Sequence, residues 1–125
     1  MITRIEALSF LKRYQPMLSD KEIKQEELET YEEVRKYFQN NFDERCIPLF
    51  LNAFGGKNGF GVYQMVEDVI IEYGKEVVLP YILNTFNNSS DSVKYWCIQI
   101  ASNFPDASLF EPLRRDEAIY YRSIV

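Results

Sequence analysis

Two cysteines, a pair of adjacent carboxylates, a glycine-rich stretch and an acidic run are the features of this sequence to which chemistry can be assigned. Cys46 and Cys97 lack the spacing of a zinc site or a C-x-x-C redox pair. Cys46 stands beside Ile47, and Cys97 lies between Trp96 and Ile98, so both read as small buried hydrophobes in a reduced compartment. Glu67 and Asp68, with Glu72 a turn later, have the residue types for acid/base or metal work, but on an amphipathic helix the plainer reading is a solvated face. The stretch from Gly55 to Gly61, GGKNGFG, resembles a phosphate cradle only in its glycines. It lacks the G-K-[ST] ending and follows no strand pattern, so it reads as a loop that ends one helix and launches the next. The chain has no histidine. That removes the commonest general base, every Ser-His or Cys-His nucleophile pair and most catalytic zinc sites. The expectation is a chain that is not an enzyme and uses no cofactor or metal.

The acidic run is different in kind. From Asp20 to Glu33 there are seven acids and two lysines, a local charge of −5 that equals the formal net charge of the whole chain. Such a balance opposes general nucleic-acid binding, which needs a basic surplus to neutralise phosphates, and suits a basic protein partner. Glu22, Glu26, Glu29 and Glu33 fall at helical spacing and are expected to line one face. The plain reading is a solvated helix favoured by acids near its positive dipole end. The functional reading is a docking face, where the modest repulsion of like charges at i, i+4 is relieved by a basic surface.

These side chains need a scaffold, and the composition provides for one. The 125 residues are 46% hydrophobic and include nine Phe, nine Tyr and one Trp, enough for a single helical domain with its own core and no disulfide. There is no apolar leader of the secretory kind and no run of 18 apolar residues, so the expectation is a cytoplasmic protein without a membrane anchor. Ile2, Ile5, Leu8 and Leu11 recur every three residues and predict a first helix that ends before Pro16. Ser19 or Asp20 is expected to cap a second helix running to about Asn41, with Tyr31, Val34, Phe38 and Phe42 as its buried stripe.

Beyond residue 43 the pattern repeats. Pro48, Pro80 and Pro112 are spaced 32 residues apart, each in apolar company. Each is expected in the first turn of a short second helix, where its missing N–H is no loss. Val62, Met65, Val66, Val69, Ile70 and Tyr73 match Val93, Trp96, Cys97, Ile100, Ala101 and Phe104 at a shift of 31. Gly74 and Pro105 are expected to end those helices, and Asp91 and Asp106 to cap the ones that follow them. Trp96 holds a core position in that match. The organisation expected is one domain over 1–125: an N-terminal helical pair (1–42), repeated helix pairs (43–114) and a truncated capping helix (115–125).

The segment VKYWCIQIASNFPD followed by FEPL resembles a HEAT-type repeat. DERCIPLFLNAF, GGKNGFGVYQMVEDVI and the V-x-Y-W segment are similar to immunity proteins of bacterial toxin systems, contact-dependent inhibition among them. The resemblance covers roughly residues 43 to 114. It implies an all-α, short HEAT-like α-α superhelix of antiparallel helix pairs, monomeric when unbound, that neutralises a cognate toxin domain by direct binding. In that geometry the second helices line the concave side, which makes Asn84, Asn87 and Asn88 polar candidates for the partner. Tyr120 and Tyr121, in the last incomplete helix, either cap the stack or touch the partner. The alternatives are a HEAT-repeat scaffold or regulatory adaptor in a larger assembly and, more remotely, a helical-repeat protein similar to DNA glycosylases. The chain's charge opposes the last.

Overall fold

A computed structural model describes residues 1–56, 59–87 and 89–104. Asn88, Pro105, Asp106, Pro112, Tyr120, Tyr121 and the capping helix expected over 115–125 lie outside the described residues. Among the described residues the regular structure is helical: α1 (Arg4–Arg13), α2 (Gln25–Asn40), α3 (Cys46–Ala53), α4 (Val62–Glu72), α5 (Lys75–Phe86) and α6 (Asp91–Ala101), with a 3-10 turn at Gly59–Gly61 before α4.

The first helix starts at a capping box. The Thr3 hydroxyl accepts the Glu6 N–H at 3.2 Å, and the Glu6 carboxylate accepts the Thr3 N–H at 3.1 Å. Its buried face is Ala7, Leu8, Phe10 and Leu11, while Ile5 is 77% exposed. The three-residue recurrence overstated that face. Each step of three falls about 60° short of a full turn, so four such positions cannot share one side of a helix.

The second helix corrects the sequence reading at both ends. Ser19 caps no helix there; its carbonyl takes the N–H groups of Glu22 and Ile23, both at 2.9 Å, and closes a separate turn. The helix begins after Lys24, whose N–H is taken at 3.0 Å by the Glu27 carboxylate reaching back. At the far end Tyr31, Val34 and Phe38 are buried as expected, but Phe42 lies past the helix, 63% exposed, with its ring stacked on Tyr73 at 4.6 Å.

The prolines divide. Pro48 is the third residue of α3, in the first turn as expected, but Pro80 is the sixth residue of α5 and interior to it. Gly74, at φ +93°, lets the chain enter α5 a full turn ahead of the proline, so Pro80 leaves the Glu76 carbonyl without its helical donor. Asp91 is the first residue inside α6, not its cap; the Ser90 hydroxyl accepts the Val93 N–H at 3.5 Å. Val62, Val66, Val69 and Ile70 of α4, and the matched Val93, Cys97, Ile100 and Ala101 of α6, are all buried. The match fails at Met65, which is 46% exposed where Trp96 is 8% exposed, and holds only in part at Tyr73, which is half-buried where Phe104 is buried.

Packing sets α1 on α3 and α3 on α5, and separately α2 on α4 and α4 on α6; α1–α2, α3–α6, α4–α5 and α5–α6 contacts join the two rows. One apolar cluster runs from Ala7 to Phe104. At its centre Tyr31 meets Phe10, Phe50 and Tyr63 with ring centroids 6.0 to 6.4 Å apart, and Phe54 stacks on Trp96 at 5.1 Å. Aromatic side chains thus tie α1, α2, α3, α4 and α6 together.

Candidate functional site

The connection from α3 to α4 decides which aromatic side chains the molecule hides. The Tyr63 hydroxyl accepts the Gly55 N–H at 2.9 Å, and the side chain is 1% exposed. A Cβ on Gly55 would lie 2.7 Å from the Met17 carbonyl oxygen, and one on Gly59 would lie 2.8 Å from the Tyr63 ring. Gly59, Phe60 and Gly61 all take positive φ, +54°, +55° and +85°. The described glycines of the stretch, Gly55, Gly56 and those of the Gly59–Gly61 turn, lie between α3 and α4, and the backbone at Gly55 and Gly59 closes against Tyr63. Phe60 is turned outward by the same left-handed turn and is 61% exposed.

Between that turn and α2 runs a groove of about 550 Å³. Gln25, Leu28, Glu29, Glu32 and Lys36 form the α2 wall; Phe60, Gly61, Val62 and Met65 form the other. The α2 residues recur at i, i+3, i+4, i+7 and i+11, which is one helical face. A smaller extension of about 120 Å³ continues the groove past Phe60 to Ile23 and Lys24.

The acids around it have distinct local roles. Glu27 belongs to the fold: it accepts the Tyr14 hydroxyl at 2.5 Å and the Lys24 N–H, and these bonds, the tyrosine first, hold its carboxyl below the usual range. Glu32 is 3.5 Å from the Arg35 guanidinium. Glu29 accepts the Gln25 amide at 3.1 Å, and Glu22 accepts the Ser19 hydroxyl at 3.0 Å. Glu22, Glu26, Glu29 and Glu33 are all exposed, and no cation among the described residues pairs with any of them. They do not make one continuous helical stripe, because Glu22 sits in the turn before α2. Glu29 lines the groove, with Glu26 and Glu33 exposed on the same helix. Asn84 and Asn87 are exposed near the C-terminal end of α5, and neither lines the groove.

The sequence pattern singles out only Glu29 on the α2 wall and leaves Gln25, Leu28, Glu32 and Lys36 unmarked. On the other wall, periodicity gives Met65 a core position through its match to Trp96, and Phe60 reads as part of a glycine loop. A signal for Phe60 was present: a large aromatic residue between two glycines has little helix or strand around it to bury it.

Both cysteines are buried in the fold. The Cys46 thiol lies 3.5 Å from the Tyr73 hydroxyl, which itself donates to the Phe38 carbonyl at 2.9 Å and accepts the Asp43 N–H at 3.2 Å. Burial pushes this thiol up to about 12, and burial does the same to Cys97. Arg45, next to Cys46 in sequence, is directed instead at Asp43, 2.6 Å away. Burial, then Asp68, raises the Glu67 carboxyl. Among the described residues no group of three His, Cys, Asp or Glu side chains is placed to hold a metal ion, and no helix is long and apolar enough to cross a membrane. No protein-family model, curated protein or solved structure matches the chain.

Proposed function

We propose that this chain is a non-enzymatic protein-binding module that engages a basic partner through the exposed side of α2. In its sharper form it is a cytoplasmic immunity protein, monomeric when unbound, that neutralises a cognate bacterial toxin domain by covering its active or substrate-binding surface. The carrying observation is that Glu22, Glu26, Glu29 and Glu33 all face solvent without a cationic partner among the described residues, beside a groove with exposed apolar side chains. Exposed carboxylates speed the encounter with a basic surface, and apolar anchors slow dissociation once it has formed. The HEAT-like superhelix belongs to the same proposal; the two rows of packed helices support it. A scaffold or adaptor in a larger assembly would use the same face and differs only in its partner.

The test is capture of bound proteins from the native lysate by the tagged full chain, with activity assays on whatever is recovered. A toxin domain whose activity disappears on adding this protein supports immunity; a housekeeping assembly supports the adaptor. Association with the recovered partner should slow by about tenfold or more between low and high salt. A rate that ignores salt removes the electrostatic part of the mechanism.

A further inference from the structure

We infer that the groove between α2 and the Gly59–Met65 segment is the seat of one element of the partner: a lysine- or arginine-rich segment carrying a large apolar side chain. The inference rests on the protein-binding reading above and adds where and by what chemistry the partner is held. Six large hydrophobic side chains are conspicuously exposed among the described residues, and two of them, Phe60 and Met65, stand on one wall of this groove. With Leu28 opposite, Phe60 and Met65 make an apolar trough, and its size falls within the roughly 300–1,000 Å³ of ordinary ligand pockets.

The polar rim selects the occupant by charge. Along the α2 wall the order is Gln25, Glu29, Glu32, then Lys36, with Lys24 on the smaller extension beyond Gln25, so the carboxylates sit in the middle and a cation stands towards each end. Glu32 touches Arg35 with a single contact, leaving oxygen lone pairs for a second donor. Glu26 and Glu33 add negative field from the same helix. An acidic peptide or a phosphate backbone is repelled by this rim, and so is a second copy of this chain, which carries the same net charge of −5. A basic segment with an apolar anchor satisfies both the trough and its carboxylates. Its cationic side chains face Glu29 and Glu32, and its uncharged or acidic end faces Lys36.

The test is backbone-amide NMR of the full chain titrated with two synthetic peptides: a lysine-rich one with a central tryptophan-leucine pair, and its counterpart with serine-glycine in that place. Saturable shifts centred on residues 25–36 and 60–65, with the anchored peptide binding about tenfold or more tighter, are expected. The double variant Phe60→Asn, Met65→Gln should abolish that preference while leaving binding of the serine-glycine peptide and the melting temperature unchanged. Both replacements are at exposed positions, and asparagine tolerates the left-handed backbone at 60. Equal binding of the two peptides, shifts centred elsewhere, or concentration-dependent self-association through these residues would overturn the groove and leave the acidic-face reading intact. Failure of both peptides to bind would overturn the groove and count against the acidic face as well.

Discussion

Tyr63 and Phe60 stand three residues apart on opposite sides of one glycine-bracketed turn, and the fold treats them in opposite ways. Tyr63 is 1% exposed, with its hydroxyl bonded to the Gly55 N–H and its ring against Tyr31, Phe54 and Trp96. Phe60 is 61% exposed and held at φ +55°, where a side chain carries a steric cost. Gly55 and Gly59 are small because Tyr63 needs the room, so the glycines of this loop answer to the inside of the molecule. The Phe60 side chain on its outside lines the groove beside α2. A loop that looks uniform in sequence therefore has an inner side that maintains the fold and an outer side that faces a groove.

The strongest way to break this comparison is to remove the inner aromatic. Tyr63→Ala empties a fully packed site among three other rings and should cost about 3–5 kcal/mol, read as a fall in the denaturant midpoint at unchanged slope. A loss below about 1 kcal/mol would mean that Tyr63 does not organise the turn. Gly59→Ala comes next. It carries the left-handed penalty of about 1–2 kcal/mol and also presses a methyl group against the Tyr63 ring at 2.8 Å. A total near 2–3 kcal/mol is expected by thermal or chemical unfolding, and Gly61→Ala, which has open space around its Cβ, should show the backbone penalty alone.

The same contrast explains what was legible in the sequence. The stripe of α2, the matched faces of α4 and α6, and Pro48 in the first turn of α3 follow from helical spacing and from backbone chemistry local to a few residues. The start of α2 did not, because its capping carboxylate, Glu27, acts on the Lys24 backbone and places no demand on the side chain that precedes the helix. Pro80 falls inside α5, not in its first turn, because Gly74 sets the start of that helix independently of it. Met65 and Trp96 occupy equivalent positions and are both apolar, so periodicity cannot tell a core position from a groove wall. Only the neighbour does: Trp96 finds Phe54 and Tyr63, while Met65 faces the space beside α2. The acidic face was legible as charge, but the absence of Glu22 from its helix depended on a backbone turn that no side-chain pattern announces.

A finer probe is Tyr63→Phe, which keeps the ring and removes only its oxygen. The Gly55 N–H is buried, and without that acceptor it has no bond at 2.9 Å to replace the one it lost to folding. A cost of about 1–2 kcal/mol is expected. If the variant is as stable as the parent, the turn is held by ring packing alone, and the hydrogen bond merely accompanies it.

The smallest expected effect lies on the outer side and separates the two readings of Phe60. In Phe60→Asn the ring removed is mostly in water already, so little apolar burial is lost, and asparagine is among the residues that enter the left-handed region most easily. The two terms oppose each other: a few tenths of a kcal/mol of lost contact with the groove wall against a similar relief of backbone strain. Unfolding should therefore change by no more than about 0.5 kcal/mol in either direction. A loss of 2 kcal/mol or more would place Phe60 with Tyr63 as a structural aromatic and erase the distinction between the sides of the loop. Near-neutral stability joined to weaker partner binding would instead mean that an exposed aromatic side chain, held in a conformation that costs stability, contributes to recognition and not to the fold.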